Sequence, residues 1–208
     1  MRWGRVEATA GFFLLIAWVN YWDSQLLVPQ ALLACVLHEL GHYGVIRLLG
    51  RDVKLIRLTA IGAEMVVDRP LSYGQEGLAA LAGPAVNLAL ALLLCGWSRG
   101  QTFAGLNLAL ALFNLLPAGR LDGGRTLRCA LALLIGPAQA EQTARWLDQC
   151  FAGAALGAGL LLAGAAGNVT LLLTALWMAG MIFHERCGPF RGNRACKSGK
   201  NPVQYRVR

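Results

Sequence analysis

The sequence predicts an all-α polytopic membrane protein of about six transmembrane helices, with a small β-hairpin near its functional site. Three observations carry the prediction. The 208-residue chain is 56% hydrophobic and only 14% charged, with a mean hydropathy of +0.50, whereas soluble domains carry about 25% charged residues. Asp, Glu, Lys and Arg are absent from Gly77 to Ser98, from Gly100 to Gly119 and from Gln149 to His184. The basic residues, finally, fall in alternate connections.

Taken in order, "ATAGFFLLIAWVNYW" (Ala8 to Trp22) makes the first span. It lacks a small-residue cleavage site and ends in "NYWDSQ", so it reads as a span and not as a signal peptide. The second runs from about Val28 to Leu49. The first two charge-free runs each suffice for one helix across a hydrocarbon core of roughly 30 Å, which takes about 20 residues. The third run holds two short spans turning at Gly164 to Asn168. With both termini inside, the positive-inside rule places every Lys and Arg in the cytoplasm except Arg99. The expectation is one membrane-embedded domain over residues 1–184 and a basic, flexible cytoplasmic tail over 185–208, in a multi-pass protein of the cell membrane.

The net charge of +8 is thereby a topology signal that could also meet anionic lipid; no nucleic-acid partner is expected. The six cysteines (35, 95, 129, 150, 187 and 196) show no zinc-finger spacing and read as free thiols. Cys35, one turn before His38, is expected to be a small buried filler.

"VLHELGHYGVI" (Val36 to Ile46) places two of the three histidines and a glutamate in an otherwise apolar run. Ionisable groups within a span are costly and usually functional. Residues four apart share a helix face, so His38 and His42 can hold one metal ion. Glu39 then stands about a quarter-turn away, where a general base would stand. That is the mechanical content of H-E-x-x-H, with zinc as the metal. The alternative is that the three residues only bridge helices.

A catalytic zinc takes a third protein ligand and keeps one open position. Nearly all other acidic side chains lie in charged loops; the exception is Asp122, in "NLLPAGRLDGGR" (Asn114 to Arg125). There a span runs into Pro117, Gly119 and Gly123-Gly124, and broken backbone at membrane depth belongs where it lines a cavity. Asp122 is equally a helix cap or a partner of Arg120 or Arg125. Val53 to Val67 is β-branched and reads as a hairpin whose edge could hold an extended peptide by β-addition. "CALALLIGPAQA" (Cys129 to Ala140) is too short to span, and "AEQTARWLDQ" (Ala140 to Gln149) reads as a short interfacial helix.

HELGH on an early span, "LAGPAVN" (Leu81 to Asn87) on the next, and N-x-x-P-x-x-x-L-D-G-G from Asn114 to Gly124 together resemble the site-2 protease family of intramembrane zinc metalloproteases. The likeness runs from about Ala31 to Arg125. It implies His38, His42 and Asp122 as ligands of Zn2+, Glu39 as catalytic base and Asn114 as a substrate-positioning residue, with an inter-helix hydrogen bond as the alternative for Asn114. Gly83 and Asn87 read as helix-packing residues. Arg120 stands where relatives commonly carry a proline, and "IGAEMVV" lacks a second glycine after Gly62, leaving Glu64 as an oddity near the expected site, with a solvated loop charge as the alternative. Without PDZ or CBS domains, the chain looks most like the minimal sporulation-type branch. That likeness implies a membrane-associated protein substrate such as a tethered transcription-factor precursor, and control by other membrane proteins. The rival class is an ion or proton transporter using the same buried His and Glu residues. Another membrane zincin family takes a glutamate as third ligand, but Glu141 and Glu185 sit at membrane edges.

Overall fold

The computed structural model describes residues 2–3, 6–23, 26–59, 62–119, 121–166, 172–173, 176, 180 and 205–207. The first third is a pair of strands, a pair of helices and a second pair of strands: β1 (Arg2–Trp3), β2 (Val6–Ala8), α1 (Ala10–Trp22), α2 (Leu27–Leu48), β3 (Val53–Thr59) and β4 (Gly62–Val67). Then come α3 (Tyr73–Leu94), a 3-10 turn (Ser98–Gly100), α4 (Gln101–Asn114), α5 (Asp122–Ile135), α6 (Pro137–Ala166) and β5 (Tyr205–Val207).

Thr9 caps α1 by accepting the amide of Phe12, satisfying one donor that a helix start leaves unpaired. The carboxylate of Asp23 does the same for α2, accepting from Leu27 and Val28 at 3.0 and 2.7 Å. The buried residues of α2 are Ala34, His38, His42 and Ile46, a stripe at intervals of four. Leu33, Val36, Leu40 and Leu48 face outward. Polar groups inside and leucines outside is the pattern of a helix in a lipid-facing bundle, the reverse of a soluble amphipathic helix.

Helix α3 is the centre of the bundle and packs on α2, α4 and α5. A capping box between Ser72 and Gln75 opens it. Its buried face is almost entirely small: Gly77, Ala79, Ala80, Ala82, Gly83 and Ala91, which lets neighbouring backbones approach closely. Among the described residues, α3 is the one helix long and apolar enough to cross a membrane by length and composition; the apolar helix Ala10–Tyr21 is shorter.

The expected hairpin is present as β3–β4, paired from Val53↔Val67 to Thr59↔Gly62. It forms the middle of a mixed sheet in the order β1-β2-β3-β4-β5. Strand β2 lies parallel to β3, with α1 and α2 as the crossover that a parallel pair requires. Ile46, Val53, Met65, Val67 and Ala79 make a core cluster joining the sheet to the end of α2 and the start of α3.

Three expectations change. Glu64 is not a solvated loop charge: it is a β4 residue, 3% exposed, opposite Arg57, which itself pairs with Glu7 at 3.1 Å. Cys35 is exposed and is not a buried filler. Ala140 to Gln149 is not a separate interfacial helix; α6 runs unbroken to Ala166, because no glycine or proline interrupts it between Ala138 and Ala152. The turn expected at Gly164 to Asn168 and the tail over 185–208 fall largely outside the described residues, as do Arg120, Cys187 and Cys196. Strand β5, antiparallel to β4, is the part of the tail that is described.

Candidate metal centre

The stripe on α2 sets both imidazoles toward α3. Nδ1 of His42 lies 2.7 Å from the carbonyl oxygen of Ala79. A carbonyl only accepts, so this nitrogen carries the proton and Nε2 of the neutral ring presents a lone pair. Outer contacts of this kind orient metal-binding histidines. Nε2 of His38 lies 3.1 Å from Nε2 of His42, and the rings stand nearly perpendicular at 83°.

The third corner is Oδ2 of Asp122, 3.0 Å from Nε2 of His38 and 3.3 Å from Nε2 of His42. All three residues are buried. Sites for zinc place ligands at about 2.0–2.1 Å in a tetrahedron, whose edges are then about 3.3 Å. The observed triangle has edges close to that, so the donor set and its spacing fit zinc. Two neutral imidazoles and one carboxylate also limit the charge buried with the ion.

Glycines make this geometry feasible. A Cβ at Gly83 would lie 2.7 Å from Nε2 of His38 and 2.6 Å from Cε1 of His42. Gly83 is therefore a packing residue, as expected, but what it packs against is the pair of histidines. At Gly41 a Cβ would sit 2.8 Å from the carbonyl of Ala82, so this glycine brings α2 against α3.

Asp122 is delivered by the break between α4 and α5. The backbone bends through Gly119, at φ +54°, a region that favours glycine. A Cβ on Gly123 would run into the carbonyl of Leu115, and one on Gly124 would lie 2.7 Å from that of Gly119. The paired glycines let the bend fold back onto the first turn of α5. Oδ1 of Asp122 lies 3.5 Å from Nη1 of Arg125, and Nη2 of Arg125 is 3.8 Å from Glu76. Two readings of Asp122 thus coexist in one carboxylate: Oδ2 faces the histidines and Oδ1 faces the arginine.

Glu39 is half-buried beside His38 on α2. Asn114, the last residue of α4, donates from Nδ2 to the carbonyl of Leu110 in its own helix at 3.0 Å. Sequence reasoning missed Asp148 on α6, which is 6% exposed and accepts the amide of Gly119 at 2.7 Å. The available signal was an acidic residue directly preceding a long charge-free run.

A largely helical bundle whose buried H-E-x-x-H helix meets a distant aspartate brings together the ligand set of a zinc site. No family model matches the chain. It is 32% identical over 154 residues to a zinc metalloprotease of Methanocaldococcus jannaschii, covering 69% of this chain and 44% of that protein. It is 38% identical over 128 residues to a putative zinc metalloprotease of Synechocystis, covering 55% of this chain and 34% of that one. The chain thus spans less than half the length of these curated relatives. Among solved structures it superposes on the site-2 protease of M. jannaschii with a TM-score of 0.65 and 27% identity, over 94% of each chain. The chain belongs to the site-2 protease family.

Proposed function

We propose that this chain is an intramembrane zinc endopeptidase that cleaves a membrane-embedded or membrane-associated protein. In this reading the substrate is a regulatory precursor of the tethered transcription-factor kind, as in the minimal sporulation-type branch. The observation that carries the reading is the buried triangle of His38, His42 and Asp122, with Glu39 adjacent to it on the same helix. The membrane setting follows from the charge pattern: about six spans, multi-pass in the cell membrane, both termini cytoplasmic.

When bound, zinc polarises the scissile carbonyl and makes water acidic enough to attack near neutral pH. His38, His42 and Asp122 hold the ion. Glu39 accepts the proton of the attacking water at its carboxylate and returns it to the departing amine. Arg125 takes up the second oxygen of Asp122, keeping Oδ2 turned to the histidines. Asn114 stands at the rim of the bend, where it would meet the substrate backbone once its bond to Leu110 opens.

A helical substrate must unwind to expose a peptide bond. Strand β4 is the element that would hold it extended, by β-addition. Its outer edge already accepts an antiparallel strand, since β5 pairs with Met65, Val66 and Val67. The core cluster beneath it includes Ala79, the residue whose carbonyl holds His42.

The test is a comparison of membrane proteomes from cells carrying the native chain or Glu39→Gln at matched expression. A membrane-tethered precursor that accumulates uncut only with the variant supports the reading. Identical proteomes under conditions where the native protein is abundant contradict it.

A further inference from the structure

His42 has a partner for its Nδ1 in Ala79, but Nδ1 of His38 is buried with none. Three other buried side-chain atoms on the neighbouring helices lack partners too: Oδ1 and Nδ2 of Asn87 on α3, and Oδ1 of Asn107 on α4. Both asparagines are 0% exposed. Buried polar groups are nearly always satisfied, so four together require an account.

Their chemistry is complementary. With Nε2 of His38 turned to the metal, its Nδ1 is a donor; Oδ1 of Asn87 is an acceptor and Nδ2 a donor; Oδ1 of Asn107 is an acceptor. Nδ2 of Asn107 is already used, donating to Phe103 at 2.8 Å.

Their placement is complementary as well. Helices α2 and α3 run past each other in opposite directions, and His42 meets Ala79 and the Gly83 position. His38 lies one turn earlier on α2 and also meets the Gly83 position. The next turn of α3 on that face carries Asn87. A short connection joins α3 to α4, so Asn87, seven residues before the end of α3, lies at the depth of Asn107, six residues into α4.

We propose that Asn87 is a positioning residue of the metal centre. Its Oδ1 takes the Nδ1 proton of His38 across one buried water, and its amide reaches Oδ1 of Asn107 across another, since none of these atoms bonds directly to a partner. The chain His38–Asn87–Asn107 fixes the tautomer and ring orientation of His38, as the Ala79 carbonyl does for His42. It rests on the reading of His38 as a metal ligand.

The experiment measures zinc affinity of the full chain, purified in detergent, by competition with a chelator, for the native protein, Asn87→Leu, Asn87→Asp and Asn107→Leu. Outer-shell partners of metal-binding histidines contribute roughly 10–100-fold in metal affinity. Asn87→Leu should therefore weaken zinc binding by that order without lowering the melting temperature of the metal-free protein. Asn107→Leu should weaken it less, and Asn87→Asp, which keeps the acceptor, should bind at least as tightly as native. A slowly exchanging Nδ1–H signal of His38, present in the native protein, should disappear in Asn87→Leu. Native zinc affinity in Asn87→Leu overturns the proposal. So does a loss in Asn87→Asp equal to that in Asn87→Leu, which marks a merely structural asparagine and also decides the matter should the leucine variant not fold. A native chain that binds no zinc at all overturns the ligand reading, and this proposal with it.

Discussion

Oδ1 of Asp148 accepts the amide proton of Gly119 at 2.7 Å, and this bond ties the long helix α6 to the bend that delivers Asp122. Oδ2 of the same carboxylate lies 3.8 Å from Arg128, so α6 is also anchored to α5. The geometry of the third metal ligand thus depends on a residue 26 positions further along the chain.

Replacing Asp148 by alanine leaves the Gly119 amide buried without a partner, at a cost of about 1–3 kcal/mol. Thermal unfolding should report that loss, and zinc affinity should fall as the bend loosens. Asp148→Asn keeps an acceptor and should lose less on both measures. Equal behaviour of the two variants would show that the hydrogen bond is not what holds the bend.

Gly83→Ala should abolish zinc binding. Alanine favours a helix over glycine by about 1 kcal/mol, so any loss must come from the Cβ, which would lie 2.7 Å from Nε2 of His38. Gly105→Ala is the control: it lies inside α4 with nothing within 4 Å of the added carbon. Metal content of the two purified variants separates a crowded metal site from a general effect of filling a helical glycine.

Strand β5 occupies the edge of β4 on which the proposed substrate strand would add. Deleting residues 205–208 should raise cleavage of a membrane-embedded substrate several-fold by removing the competitor. An unchanged rate would place substrate binding elsewhere.

Zinc removal should be reversible. Dialysis against a strong chelator should abolish cleavage, and stoichiometric zinc should restore it. Asp122→Ala, which leaves only two imidazoles, should need far more zinc for any recovery. Full activity in the chelated protein would exclude a metal-dependent reaction.

Much of this was legible in the sequence because it is local. The spacing of His38 and His42 is a property of one helix, and Ala34 and Ile46 continue the same stripe. The hairpin was legible from the β-branched run of β3 and β4. Strands β2 and β5, three residues each, carry no periodic pattern and exist only through pairing. The continuity of α6 was hidden because its polar first third and apolar remainder look like two segments, whereas a change of composition alone does not end a helix. Asp148 stood out only as an acidic residue ahead of a charge-free run, and neither its bond to Gly119 nor the role of Gly83 was legible, because each acts on a partner brought close only by the assembled bundle.

In the proposed function the buried triangle of His38, His42 and Asp122 is a zinc centre served by Glu39. The most direct measurement pairs the zinc content of purified Glu39→Gln with its rate on a cleavable membrane substrate, beside the native protein. The expected result is about one zinc per chain in both proteins and a rate at least 100-fold lower in the variant, the low end of what a general base contributes. A variant that cleaves at the native rate, or one that loses its zinc along with its activity, would contradict it.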